Sequence, residues 1–139
     1  MSGERGFVDT NVLVYLFDDD EPDKRAIART LLGEVGDTFV LSAQVLGEFY
    51  VTVTRKLARP LSPEIAREAV ASFGEFPVQP ITGPLVSAAI DRVGPSRLSY
   101  RDALIVETAI AAGAGTLLTE DLQDGQDFDG VRVRNPFVA

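Results

Sequence analysis

Apolar residues along this chain fall in short blocks whose spacing alternates between that of extended strands and that of helices. Gly6 to Asp9 predicts a short buried strand, and Val12 to Phe17 a helical stretch directly after it. Pro22 opens a helix towards Gly33, at the first helical position, where proline's missing N–H would have no partner anyway. A second strand is expected over Thr38 to Leu41, then a long helix from about Ala43 to Leu57, closed by Pro60. Ser62 and Pro63 start the next helix, with Ile65, Ala69 and Phe73 at helical spacing until Gly74. Pro77 to Ile81 reads as a third strand, Thr82 opens a helix ending at Gly94, and Ser99 opens another to about Gly113. Thr116 to Leu118 and Val131 to Val133 complete five short strands.

Strands separated by helices imply a parallel sheet covered on both faces, so the expected fold is a three-layer α/β/α sandwich around about five strands. With no internal repeat or linker, residues 1–139 are expected to form a single domain. In such folds ligands collect at the carboxyl ends of the strands, where the strand order reverses. No apolar run is long enough for a membrane span, and the start MSGERGFVDT lacks the basic-then-apolar layout of a secretory leader. A soluble cytoplasmic protein with no membrane association is expected.

Composition narrows the chemistry. The chain has no cysteine and no histidine, which removes thiolate sites, histidine-dependent hydrolysis and the usual catalytic zinc sites. If the protein is an enzyme, carboxylates must do the work. A net charge of −8 argues against a polyanionic partner, because affinity for nucleic acid comes largely from neutralised phosphates. Two divalent ions on the acids would halve that charge and turn local repulsion of phosphate into attraction.

Four acids, far apart in sequence, are the candidates. Asp9 ends the first strand in FVDTN, where it is either an N-cap or a ligand. Glu48 is the only charged residue in the sixteen from Phe39 to Thr54, and a lone carboxylate there must be solvated, paired or metal-bound. Asp102 follows Ser99 at capping-box spacing, yet Ile105, Val106 and Ala109 turn its side of the helix inward. Asp121 follows the strand ending at Leu118, with Thr119 available to cap the next turn. The remaining acids around it, Glu120, Asp124, Asp127 and Asp129, have no base among them and read as a solvated loop; the run Asp18 to Glu21 reads as a solvated helix start. Each acid has a capping or pairing explanation alone, but two follow strands and two lie on apolar helix faces beside them. Hard divalent cations prefer such oxygen ligands, and a pair of ions can ionise water and stabilise the leaving oxygen of a phosphodiester.

The segments FVDTNVLVYLFD, LSAQVLGEFYVTVTRK, LSYRDALIVETA and TLLTEDLQDGQ, in this order, resemble the PIN-domain ribonucleases, specifically the VapC-type toxins of toxin–antitoxin modules. The resemblance spans nearly the whole chain. It implies endoribonuclease activity dependent on Mg²⁺ or Mn²⁺, with Asp9, Asp102 and Asp121 matching the metal-binding aspartates and Glu48 the helix-borne glutamate. Asn11 and Thr119 match polar residues that support the acids or an attacking water. It also implies a homodimer and a cognate VapB-type antitoxin that covers the pocket, part of which can present a basic group to the acids. Phe49, Tyr50, Phe73, Phe76 and Phe137 are compatible with an interface, although core positions account for most such rings.

Arg101 and Arg97, beside Asp102, are the better candidates for RNA contacts; Arg55, Lys56 and Arg59 end a helix, where the dipole alone favours them. A phosphotransfer or dehalogenase-like phosphatase domain fits poorly, since Asp9-Thr10-Asn11 lacks the D-x-D pattern and the only lysines are Lys24 and Lys56. The non-enzymatic alternative is a catalytically inactive PIN-like module that binds RNA or protein.

Overall fold

The computed structural model describes residues 5–35 and 38–138. Residues 1–4, part of the segment weighed above as a leader, lie outside the described residues. In chain order the elements are β1 (Arg5–Val8), α1 (Thr10–Tyr15), α2 (Pro22–Val35), β2 (Phe39–Ser42), α3 (Ala43–Arg55) and α4 (Pro63–Phe73). They continue with β3 (Val78–Gln79), α5 (Gly83–Ser96), α6 (Tyr100–Ala111), β4 (Ala114–Leu118), β5 (Asp127–Phe128) and β6 (Val131–Arg134). Every helix expected from the pattern is present, and most start where a local hydroxyl dictates. Ser42, Ser62, Thr82 and Ser99 each accept a hydrogen bond from the backbone N–H three residues on, satisfying a donor the helix cannot.

The sheet order is β3-β2-β1-β4-β6-β5. β1 pairs in parallel with both β2 and β4, β2 with β3, and β4 with β6, so the five expected strands form a parallel sheet flanked by helices. The chain builds outwards from β1 to β3 on one side, then returns to place β4 on the other. The reversal therefore falls between β1 and β4, with Val8 opposite Leu118 and the Asp9 N–H bonded to the Leu118 carbonyl at 3.0 Å.

Two features correct the sequence reading. The sheet has six strands rather than about five, because Asp127–Phe128 pairs antiparallel with β6. Asp129 and Gly130 form the tight turn, both at positive φ, as a two-residue hairpin requires. The third strand is also shorter than expected, Val78–Gln79, since Pro80 offers no N–H with which to extend an edge ladder.

Phe7, Leu13, Leu41, Val45, Phe49, Ile105 and Leu117 are wholly buried between sheet and helices. Burial of each large side chain contributes about 1.5–3 kcal/mol. Phe17, Phe49 and Phe73 meet edge to face, locking α3 against the end of α1 and against α4. Of the rings considered for an interface, Phe49 is therefore core and Phe73 and Phe76 are packed against it, Phe137 meets Tyr15 edge to face, and Tyr50 is exposed. Among the described residues no helix is long and apolar enough to cross a membrane.

Candidate active site

The four acids reach one place from four elements. Asp9 directly follows β1 and caps α1, its Oδ1 accepting the Thr10 N–H at 2.7 Å, so capping and site placement are the same geometry. Glu48 rises from the middle of α3, which Ser42 starts at the carboxyl end of β2. Asp102 sits in the first turn of α6, its N–H bonded to Ser99 Oγ; α6 buries Ala103, Leu104, Ile105 and Val106 immediately after, and this pins the turn against the core. Asp121 follows β4, its N–H held by Thr119 Oγ1 at 3.0 Å. Asp9 and Asp121 thus flank the point where the strand order reverses.

Asn11 and Thr119, expected to support the acids, tie them together. Thr119 donates to Asp9 Oδ2 at 2.8 Å, while the Asn11 amide donates to Thr119 Oγ1 and to Asp121 Oδ2, each at 3.1 Å. The Asn11 Oδ1 accepts the Glu120 N–H at 3.3 Å, fixing the loop that carries Asp121. Two further residues belong here that sequence reasoning did not single out. Thr10 donates to Glu48 at 2.7 Å, and Gln44, one helical turn before Glu48, donates to its other oxygen at 3.2 Å. Helical i, i+4 spacing was the available signal for Gln44.

At the centre stands Arg101. Its Nη2 donates to Asp9 Oδ1 at 2.7 Å and to Glu48 Oε1 at 2.6 Å, its Nε to both Glu48 oxygens at 3.2 Å, and its Nη1 to Asp102 Oδ1 at 3.0 Å. Asp121 Oδ2 lies 3.8 Å from the same Nη1. Every candidate acid therefore touches or borders one guanidinium. Burial opposes the charge on Arg101, but its bonds to Asp9 and Glu48 hold the proton more firmly than in a free arginine. Burial would likewise raise Glu48, and the bonds from Arg101 and Thr10 outweigh it, leaving the carboxyl below its usual range. Asp121 moves the other way: burial and then repulsion from Asp9 raise it, more than Arg101 offsets. One positive charge among four acids leaves three negative charges in excess when all are ionised.

An open cleft of about 830 Å³ is lined by Thr10, Asn11, Glu48, Arg101 and Asp121 from this cluster and by Val51, Thr52 and Lys56 along α3 and beyond it. Asp9, 1 % exposed, lies behind Arg101. Arg97, at the left-handed end of α5, is exposed and does not line the cleft, whereas Lys56 does. Arg59 is 4.0 Å from Asp20.

The neighbouring acids are not simply a solvated loop. Glu120 accepts from the Tyr15 hydroxyl and from Lys24 at 3.0 Å, and Asp129 pairs with Arg92 at 2.8 Å. Asp124 and Asp127 are exposed; Asp127 accepts the Gly130 N–H of the hairpin turn and Asp124 the Asn135 N–H just after β6.

An all-oxygen set of four carboxylates suits a hard divalent ion. The guanidinium, acting as a stand-in cation, demonstrates that all four can face one positive centre. It also spaces them to suit a planar fork, and among the described residues no three acids stand as the ligands of one ion. The donor set fits a metal; the space at its centre is held by Arg101.

A family model described as the PIN domain matches residues 6–128. The chain belongs to the PIN domain family. Solved structures extend the match at the level of fold. A toxin–antitoxin complex from Klebsiella pneumoniae superposes with a TM-score of 0.72 at 20 % identity, over 95 % of this chain and 98 % of that one. The VapC20 toxin of Mycobacterium tuberculosis, whose description is that of a sarcin–ricin loop cleaving toxin, gives 0.63 at 20 % identity over 81 % and 86 %. A DNA-bound VapBC from Salmonella typhimurium gives 0.68 at 17 % identity over 96 % and 98 %. No curated protein sequence matches the chain. This PIN domain therefore has the fold of VapC-type toxins, and its β1–β4 edge is where that fold gathers the acids described above.

Proposed function

We propose that this PIN domain is a divalent-metal-dependent endoribonuclease, the toxin of a toxin–antitoxin pair. The observation that carries the reading is the convergence of Asp9, Glu48, Asp102 and Asp121 on one cationic centre at the reversal of strand order. A chain without histidine or cysteine has few other ways to build a hydrolytic site. Asp9, Glu48, Asp102 and Asp121 would hold Mg²⁺ or Mn²⁺. The bound metal supplies a Lewis acid for the phosphodiester and lowers the pKa of an attacking water.

The chain's own groups do the rest. Thr119 and Asn11 aim Asp9 and Asp121, Thr10 and Gln44 aim Glu48, and the open cleft they share with Val51, Thr52 and Lys56 would receive the RNA. Lys56 stands on that path and gives a phosphate contact; Arg97 lies off it. The toxin–antitoxin descriptions of the fold's relatives support a VapB-type antitoxin as partner. Exposed Tyr50, Val51 and Ile65 on α3 and α4 offer apolar surface for it or for a second copy in a homodimer.

The test is cleavage of RNA by the purified protein freed of any antitoxin. Cleavage with Mn²⁺ or Mg²⁺ that EDTA abolishes, and that Asp9→Asn and Asp102→Asn remove while folding is retained, is expected. Undiminished cleavage by those two variants would defeat the reading. The presence of Arg101 among the acids favours one competitor, an inactive PIN-like binding module whose metal site is permanently closed. That competitor requires RNA binding without metal-dependent cleavage.

A further inference from the structure

Arg101 makes more contacts with the acid cluster than any single ligand role would require. Its three nitrogens together engage Asp9, Glu48, Asp102 and the Thr10 hydroxyl, and reach to 3.8 Å from Asp121. Ordinary ion pairing needs one carboxylate, and a bidentate fork satisfies two donors. Here the fork is spread over oxygens that come from four different elements.

Mg²⁺ takes its oxygen ligands at about 2.0–2.1 Å and leaves no room for a guanidinium among them. Both cations also draw on the same lone pairs. Asp9 Oδ1 already accepts from Thr10 N and Arg101, and Oδ2 from Thr119 and Arg101. The two occupants are therefore mutually exclusive.

We propose that Arg101 is a tethered counter-cation of the acid cluster, and that a divalent ion loads the site only by displacing its side chain into the cleft. The proposal rests on the metal-site reading above and adds to it an internal competitor. Displacement needs no backbone movement. Arg101 is the second residue of α6, whose first turn is capped by Ser99, and its side chain is 31 % exposed and lines the open cleft. Rotation about its side-chain bonds opens the site.

Electrostatics set the direction. A single guanidinium leaves three of the four negative charges unbalanced, and an ion of charge two leaves fewer, so metal wins at sufficient concentration. Below it, the arginine keeps the acids from repelling one another. If the arginine-filled form outweighs the open one by a factor K, the apparent metal affinity falls by about that factor. The device makes the site sensitive to metal concentration without loss of the fold when metal is scarce.

The test is calorimetric titration of Mn²⁺ into the full chain, freed of metal and of any antitoxin, for wild type, Arg101→Gln and Arg101→Lys, with thermal melts in EDTA alongside. Arg101→Gln should bind Mn²⁺ at least about tenfold more tightly than wild type, because the ion no longer displaces a cation. In EDTA it should melt lower than wild type, and Mn²⁺ should raise its midpoint by more. Arg101→Lys keeps a charge but loses the fork, so its Mn²⁺ affinity should fall between the two. Should Arg101→Gln fail to fold without metal, the lysine variant carries the comparison. Equal or weaker Mn²⁺ binding by the variants, with wild type binding well, overturns the proposal and leaves the metal site standing. Binding to none of the three overturns both. Binding to the variants alone supports the proposal in its strongest form.

Discussion

Among the described residues, two arginines on neighbouring helices centre the two main ion-pair networks, and they are built to different ends. Arg92 of α5 pairs with Glu107 of α6 and with Asp129 in the β5–β6 turn, and its guanidinium lies 5.8 Å from the Phe128 ring. One positive charge meets two acids, one of them 69 % exposed and well solvated, so the network nearly balances itself. It braces two helices and a hairpin. Arg101 meets four acids delivered by β1, α3, α6 and the loop after β4, and three negative charges stay in excess. A fold selected for stability alone would not hold four carboxylates together with Thr10, Asn11 and Thr119. The difference separates a cation nearly balanced by its partners from one heavily outnumbered by them.

The largest expected effect separates the two directly. Asp102→Asn should reduce RNA cleavage by at least about 100-fold while the protein stays folded. Arg92→Ala should leave the rate per folded molecule within about twofold. Initial rates with Mn²⁺, normalised to the folded fraction by circular dichroism, decide it. Comparable losses from both would erase the distinction.

Next come the residues that aim the acids. Asn11→Ala and Thr119→Val should each weaken metal binding or cleavage by about 10–100-fold, as loss of a ligand's supporting bond generally does. An effect confined to thermal stability would reassign both to the loop. On stability the order inverts: Arg92→Ala should cost about 1–3 kcal/mol in urea unfolding, since it leaves Glu107, only 15 % exposed, without its partner. A cost under about 0.5 kcal/mol would mean that the brace is a surface pair after all.

The smallest effect is a pH dependence with opposite signs at two acids of one site, read in EDTA. Glu48 is held below its ordinary 4.5, so the stability it contributes is present above that value and lost as pH falls. Glu48→Gln should therefore destabilise at neutral pH, and by less in acid. Asp121 is raised above 3.8, so its contribution is present below that value and lost as pH rises through the folded value. Asp121→Asn should accordingly be neutral near pH 3 and raise the melting midpoint slightly at pH 7. A lowered midpoint at pH 7 would show that Arg101 needs Asp121 more than Asp9 repels it.

Much of this was readable before any coordinates. Helix starts at Ser42, Ser62, Thr82 and Ser99 depend on bonds spanning three residues, so local sequence decides them. Asp9 and Asp121 were legible as acids at strand ends, and Glu48 as a lone charge in an apolar helix. The last strand pair was also signalled, by Asp129-Gly130 between Phe128 and Val131, but the acids around it drew the reading towards a solvated loop. Glu120 shows why that reading fell short: its partners Tyr15 and Lys24 lie about a hundred residues away.

Which residue types are available, the alternation of strands and helices, and the reliance of any hydrolytic chemistry on carboxylates were all fixed by the primary structure. Those properties follow from composition and from interactions a few residues long. That the four carboxylates share one centre, and that Arg101 occupies it, depends on how distant elements pack. Arg101 stands beside Asp102 in the chain, where adjacent side chains on a helix ordinarily diverge. Its link to Asp9 and Glu48 spans 92 and 53 residues and exists because the sheet brings β1 and α3 to the start of α6. Charge converges there through the packing of distant elements, and no local pattern encodes it.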